Sequence, residues 1–509
     1  MERLAGRVIL AWGWQRRLLS FLGGAVASLA LAPVDFTAAC FLAFPLLVWL
    51  LDGAVEGSGR LARLLPAFSV GWWFGFGYFL AGLWWVGPGL SATPGLAAWA
   101  APLAMLGLPA LLAVFHGLAT LLACGLWSDG AGRIAALAFG FGVAEWLRAG
   151  LIPDLAWNAI GYTAMPVPVL MQAAGLVGVA GVGALAVFVF AAPALLATGR
   201  QAQAGLAMAF LLAAAMTGYG AVRLATSPQA AEWLAVRIVQ PGIQTPGQPF
   251  EKALERYVSL SRSPGTQGAS APRLILWPER AVPFVLAERP DLLGALAGAV
   301  EEGQVLLAGA LRAEAGTRHL YSALVVVDEE GRIVDASDKV HPTLFPDGWP
   351  VGALLEGAGA ARLAQDGRRR LLPVSGKTRA LPLIGTEAAI PGPGAEMAGE
   401  AHLVVNPVSF AGSSGMPAVY QHLRQAQLRA VETGLPLIVA AASGASAAID
   451  ANGRIIDALR PRAAGVLDVK LPLSGAKIVD SRHMWMRGLT FVTLFGILSL
   501  LLSIRSRAI

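Results

Sequence analysis

The sequence predicts a polytopic α-helical membrane domain, about seven helices before and one after, joined to an α/β sandwich that stands in water. Three observations predict it. Hydrophobic residues make up 56% of the 509 residues and charged residues only 14%, against about 45–50% and about 25% in soluble globular chains. The apolar residues gather into runs near the ~20 residues that a helix needs to cross a bilayer. Between 226 and 484 the composition changes, charges return at regular spacing, and short β-type runs alternate with helical ones. An ordinary soluble enzyme, a disordered tail protein and a disulfide-stapled secreted domain are thereby excluded.

The apolar runs fall at 18–34, 36–52, 66–87, 96–125, 132–148, 166–198 and 204–223, with an eighth at 486–504. The first two share a break at Pro33–Asp35 and read as a hairpin. No cleavable signal is expected, because Arg16 and Arg17 precede an apolar run without an A-x-A-type site. Loop charge sets the orientation. With the N-terminus in the cytoplasm, that side holds Arg3, Arg7, Arg16, Arg17, Arg60, Arg63, Arg133, Arg200, Arg505 and Arg507. The short outer loops hold only Arg148, while Arg223 and Arg487 border the large domain. The net charge of +6 therefore reads as membrane orientation, and no nucleic-acid partner is expected; only five of the 38 basic residues are Lys. The domain boundaries are 1–225 for the membrane helices, 226–484 for the water-exposed domain, and 485–509 for the last helix.

Within the membrane part, Gly71–Val86 is rich in Gly and Trp. It either packs helices through small residues with an interfacial aromatic belt, or walls a lipid chain. Glu145 and Arg148 end a span, as a snorkelling pair or as the support of a functional loop. The aromatic loop Pro153–Tyr162, with Trp157, Asn158 and Tyr162, is a candidate pocket wall or lid.

In the water-exposed domain, strands are expected at Leu234–Gln240, Leu274–Trp277, Val305–Ala310, Tyr321–Asp328, Arg332–Ala336, Ala380–Gly385, Leu403–Asn406, Leu437–Ala441 and Ser446–Ile449. Helices are expected at 249–263, 290–301 and 417–433. Glu330-Gly331 and Asn452-Gly453 read as hairpin turns, with Asp450 as a turn residue, and Gly352–Arg370 reads as a mobile loop. No phosphate loop or metal-ligand spacing is present, so no cofactor and no metal are expected. Cys40 and Cys124 sit inside apolar runs.

Several short blocks follow one another in order: Trp277-Pro278-Glu279; Ser337-Asp338-Lys339-Val340-His341; Phe345-Pro346-Asp347; Gly385-Thr386-Glu387; Gln421-His422-Leu423; Arg429-Ala430-Val431-Glu432-Thr433-Gly434; and Ser443-Gly444-Ala445-Ser446. Taken alone, Glu279 could cap a helix and Lys339 could be a solvated surface group. His341 and His422 read as structural hydrogen-bond formers. The order of the blocks resembles the nitrilase (carbon-nitrogen hydrolase) superfamily. With seven spans before the domain and one after, the whole chain is similar to the apolipoprotein N-acyltransferase family. Leu31-Ala32-Pro33, Gly77-Tyr78-Phe79, Trp157-Asn158, Gly161-Tyr162 and the Gly175–Gly183 run carry the resemblance into the membrane part.

The resemblance implies a nitrilase-type sandwich in the periplasm of a bacterial inner-membrane protein. It implies transfer of an acyl chain from a membrane phospholipid to the N-terminal diacylglyceryl-cysteine of a lipoprotein, through a thioester on the enzyme. By motif, Glu279 matches the base, Lys339 the oxyanion-stabilising lysine, Asp347 a supporting acid, and Glu387 the acid two residues past the nucleophile. The family pattern there is Cys-Tyr-Glu, and this chain reads Gly385-Thr386-Glu387. No Cys occurs anywhere in 226–484, so the thioester route is unavailable. A neighbouring Asn-Asp-Ala-Trp-Phe pattern is replaced by Asn406-Pro407-Val408-Ser409-Phe410. Three readings stay open: transfer by altered chemistry, with Thr386, Ser409 or Ser413 as a substitute hydroxyl or Glu279 as base for direct transfer; a non-catalytic relative in lipid or lipoprotein binding or envelope assembly, such as plasmid conjugal transfer; and a small-amide amidase.

Overall fold

The computed structural model describes residues 2–55, 60–91, 99–197, 202–227, 230, 232–242, 249–265, 271–314, 316, 319–341, 367–392, 394, 397–410, 416–473 and 481–507. Asp347, Ser413 and most of the Gly352–Arg370 segment lie outside the described residues. The chain forms two compact units. One comprises Met1–Gly87, Ala98–Thr226 and His483–Ile509, and the other Pro88–Ala97 and Ser227–Arg482.

The first unit is helical: α1 (Glu2–Ile9), α2 (Gly13–Ala27), α3 (Cys40–Val55), α4 (Arg60–Gly82), α6 (Ala100–Gly125), α7 (Ala131–Leu151), α8 (Pro168–Met171), α9 (Ala174–Ala191) and α10 (Ala202–Ala225), with the short α5 (Val86–Ser91) beginning at its boundary and running into the second unit, and with α14 (Ser481–Arg507) near the far end of the chain. Among the described residues, seven stretches are long and apolar enough to cross a membrane: Thr37–Val55, Arg63–Gly82, Pro102–Gly125, Ala131–Leu151, Ala174–Ala197, Ala202–Ala225 and Met484–Ile504. The run expected at 18–34 is the shorter α2, continued by a 3-10 turn at Ser28–Ala30. The run expected at 166–198 is broken: α8 precedes α9, and Gly178 inside α9 has φ +64, a left-handed conformation that only glycine adopts cheaply.

The glycines of α4 settle how that helix is used. A Cβ on Gly77 would lie 2.0 Å from the Phe21 carbonyl oxygen of α2, and one on Gly71 2.4 Å from the His116 carbonyl oxygen of α6. These helices touch backbone to backbone through small residues. Gly77→Val is therefore expected to lower the melting temperature of the detergent-solubilised chain, because no rotamer relieves a clash with backbone; a melt unchanged within error would contradict this packing.

The second unit is an α/β sandwich. Its strands are β1 (Glu232–Gln240), β2 (Leu274–Leu276), β3 (Val305–Ala313), β4 (Leu320–Val327), β5 (Ile333–Asp338), β6 (Leu372–Ser375), β7 (Thr378–Pro382), β8 (Leu403–Val408), β9 (Leu437–Ala441), β10 (Ser446–Ile449), β11 (Ile455–Leu459) and β12 (Gly465–Leu473). They form two six-stranded sheets, ordered β12-β1-β2-β3-β4-β5 and β11-β10-β9-β8-β7-β6. Parallel strands buried on both faces read as continuous apolar runs, and Leu274–Leu276 and Leu403–Val405 are buried throughout. Leu234, Val236, Ile238, Leu276, Val405 and Ile438 belong to the core between the sheets. The helices α11 (Phe250–Ser261) and α12 (Pro290–Ala297) cover the first sheet, and α13 (Met416–Thr433) covers the second. All nine expected strands are present, together with β6, β11 and β12, which were not expected. The strand expected over Ala380–Gly385 stops at Pro382, and Gly385 opens a 3-10 turn. Asp450 forms the expected turn, accepting from the Asn452 and Arg454 amides at 2.9 and 2.8 Å.

Candidate functional site

Three chain segments of the sandwich converge on one point. The first leaves β2 through Trp277, fully buried and stacked on Tyr257 at 4.8 Å, with its indole N–H donating to Ser261 Oγ at 2.9 Å. This anchor fixes the following turn, where Arg280 takes φ +54 and Glu279 is 6% exposed. The turn lies directly on β3, where a Cβ at Gly309 would come within 2.3 Å of the Pro278 carbonyl oxygen and 2.7 Å of Glu279 Cα. Gly309→Ala should thus push the Glu279 turn off the sheet at a cost of about 1–3 kcal/mol, read as a lower melting temperature.

The second segment follows β5. The Lys339 amide donates to the Ser322 carbonyl at 2.8 Å. Asp338, just before it, accepts a two-pronged ion pair from Arg312 at 2.6 and 2.8 Å and the Arg368 amide at 3.0 Å. Lys339 Nζ, itself buried, donates to Glu279 Oε1 at 2.9 Å, and the Ser409 amide donates to Glu279 Oε2 at 3.3 Å.

The third segment follows β7 and turns sharply at Gly385, where φ is +64. A Cβ built there would lie 2.8 Å from both Glu279 Oε2 and Lys339 Nζ. A strand-to-helix turn with one strained residue is the kind of elbow that presents a nucleophile. Here the elbow carries no side chain, and the heads of Glu279 and Lys339 occupy the space where one would begin. The Gly385 carbonyl is held by Asn406, whose amide donates to it at 2.9 Å and also to the Leu383 carbonyl.

Glu387 is fully buried. Its Oε1 accepts from the Val340 and His341 amides at 2.8 and 2.9 Å and from Arg369 at 2.8 Å, and its Oε2 accepts from the Ile384 amide at 2.7 Å. One carboxylate thereby ties the segment after Lys339 to the elbow before Gly385. Thr386 is half-buried in the 3-10 turn, and Ser409 meets Glu279 through its backbone. Asn406 and Arg369 were missed as site residues. Asn406 carried a usable signal, a lone amide within a fully buried apolar strand, which must be hydrogen-bonded.

His422 closes the network. Because the Asn406 amide nitrogen donates to two carbonyls, its oxygen is the acceptor, and His422 Nε2–H donates to it at 2.8 Å. Complete burial pulls the His422 pKa from 6.5 down to about 4. The unfolded chain therefore binds this proton more readily. The contribution of neutral His422 is whole above pH ~6.5 and is lost as the pH falls toward 4, about 3 kcal/mol in all. The melting temperature of the sandwich is expected to fall over that window, with a shallower fall in His422→Gln.

Trp157, Asn158 and Tyr162 belong to the helical unit. Arg148, 1% exposed, pairs with Glu145 at 2.6 Å and donates to the Leu155 and Trp157 carbonyls at 2.7 and 2.8 Å. Of the two roles open to this pair, it therefore supports the loop. Asn158, at φ +53, donates to the Gly82 carbonyl at 3.1 Å, and Trp157 packs on Trp85 at 5.3 Å. The loop is pinned at several points.

Comparison with known proteins agrees with this architecture. Residues 23–192 match the family model described as apolipoprotein N-acyltransferase N-terminal domain, and residues 235–478 match carbon-nitrogen hydrolase. An apolipoprotein N-acyltransferase of Brucella suis is 46% identical over 493 residues, covering 93% of this chain and 92% of its own. One of Rhizobium rhizogenes is 45% identical over 500 residues, covering 94% and 93%. Among solved structures, an amidase from Nesterenkonia sp. aligns with 47% of this chain and 90% of its own at 20% identity and a TM-score of 0.35. By the 45–46% identity to the Brucella suis and Rhizobium rhizogenes relatives along nearly its whole length, the chain belongs to the apolipoprotein N-acyltransferase family.

Proposed function

We propose that this protein is an inner-membrane member of its family that handles phospholipid and lipoprotein N-termini without forming an acyl-enzyme. Its N-terminus lies in the cytoplasm and its sandwich in the periplasm, as the loop arginines favour. The supporting observation is the Glu279–Lys339 ion pair closed over Gly385. A thioester route needs a base, a thiol and an oxyanion stabiliser. The first and third stand within contact of the elbow, and the second is absent there and throughout 226–484. No thiol is present in 226–484 to form the acyl bond, and in this reading the site binds its ligands without transferring an acyl chain between them. Glu387 acts in this reading as a positioning residue, and Asp347 as a supporting acid.

The test is complementation in cells depleted of their own lipoprotein N-acyltransferase, with mature lipoprotein weighed for the third acyl chain. The unaltered chain, expressed and inserted, is expected to give none. Gly385→Cys is expected to restore measurable triacylation, at about 1–2 kcal/mol of backbone strain from its left-handed φ, and Gly385→Cys combined with Glu279→Ala is expected to lose it. Triacylation by the unaltered chain that disappears in Glu279→Ala would overturn the proposal and favour a substitute hydroxyl, at Thr386 or Ser409, or direct transfer.

A further inference from the structure

We propose that residues 2–17 form an arm that binds anionic phospholipid headgroups at the bilayer surface, separately from the Glu279–Lys339 site. The arm is fixed to the helical unit on one side. Ala5 and Val8 of α1 are buried, and α1 meets α3 so closely that a Cβ on Gly53 would lie 2.0 Å from the Ile9 carbonyl oxygen. Arg16 fastens the arm, its Nε donating to the Ala11 carbonyl and its Nη2 to the Gly53 carbonyl, both at 2.9 Å. Gly13, at φ +58, turns the chain into α2.

The other side is uncovered and mixed in character. Leu4, Leu10, Trp12 and Trp14 are 57%, 76%, 77% and 69% exposed, and Arg3, Arg7 and Arg17 are exposed among them. Four large apolar side chains are unfavourable in water, and three guanidinium groups are unfavourable in hydrocarbon. The headgroup zone accommodates both, with indole rings at the boundary and Arg reaching phosphate. The segment carries four Arg against one Glu, which selects anionic over zwitterionic lipid. The nearby Asp52 does not cancel this charge, since Arg133 and the Trp127 indole N–H already engage it at 2.9 and 3.1 Å.

The test uses the purified full chain in nonionic detergent, with melting temperature followed during titration by phosphatidylglycerol or phosphatidylcholine. Phosphatidylglycerol is expected to stabilise at lower concentration. In the triple variant Arg3→Gln/Arg7→Gln/Arg17→Gln its apparent affinity should fall about 100-fold, at roughly fivefold per basic residue. The lipid-free melt and the phosphatidylcholine response should stay unchanged, because Arg16 is left in place. Trp12→Ser/Trp14→Ser should weaken the response to both lipids. Equal responses of the unaltered chain to the two lipids, a triple variant within twofold of it, an unaffected tryptophan variant, or an equal shift from inorganic phosphate would each overturn the proposal.

Discussion

Lys339→Met is expected to cost the sandwich about 3–5 kcal/mol, because it leaves a buried carboxylate without its cation. Among the described residues, Glu279 then keeps the Ser409 amide, at 3.3 Å. Glu279→Gln should also destabilise the sandwich, because it removes the buried carboxylate that Lys339 Nζ meets at 2.9 Å. The double variant Glu279→Gln/Lys339→Met removes both charges at once and should recover most of the loss, since replacing a whole buried pair by neutral groups is often close to neutral. A double-mutant cycle on the sandwich's unfolding transition reads the coupling directly. Strictly additive losses would mean that the two heads act independently, and the closed pair over Gly385 would then be wrong.

The second large effect is at Glu387. Its two oxygens serve three backbone amides and one guanidinium, all within 2.9 Å. Glu387→Gln keeps the shape, removes the charge and turns an NH2 group toward groups that are themselves donors. The expected cost is again about 3–5 kcal/mol, with Arg369 left buried and uncompensated. Because this carboxylate clasps the segment after Lys339 to the one before Gly385, the loss should be local first. Amide hydrogen exchange should quicken at Val340, His341 and Ile384 before it does in the centre of β8 or β9. Uniform quickening over the sandwich would assign Glu387 to general stability instead of to this clasp.

The site was partly legible in the sequence. Glu279, Lys339 and Gly385 were singled out by resemblance. Their meeting, however, depends on topology, since β2 and β5 are separated in the sheet by β3 and β4. The clasp made by Glu387 was illegible for a physical reason: backbone amides are supplied by every residue type and leave no mark on composition. Gly309 was equally silent, because the need for a bare backbone there comes from a neighbouring turn and not from β3 itself.

The fold was more legible, since strands buried on both faces are uninterrupted apolar runs. β11 escaped because Ile455–Asp457 are exposed on a sheet edge and Ala458 with them, so no buried face imposes a pattern. β6 is four residues long and includes a proline. In β12 Asp468 is a buried charge, neutralised across the sheet by Arg237 at 2.7 and 2.8 Å, a pairing that local sequence does not announce.

That pairing has a kinetic consequence. β1 and β12 are the first and last strands of the sandwich, yet they lie side by side in register, Glu232 against Leu473 and Gln240 against Gly465. Closing so long a loop forfeits chain entropy before any contact repays it, and non-local strand pairing is slow for that reason. During synthesis β1 must wait with one edge open until the rest of the domain has emerged. The nascent chain then carries a largely apolar strand with one unpaired edge for most of its assembly, a state prone to wrong partners and in need of a chaperone.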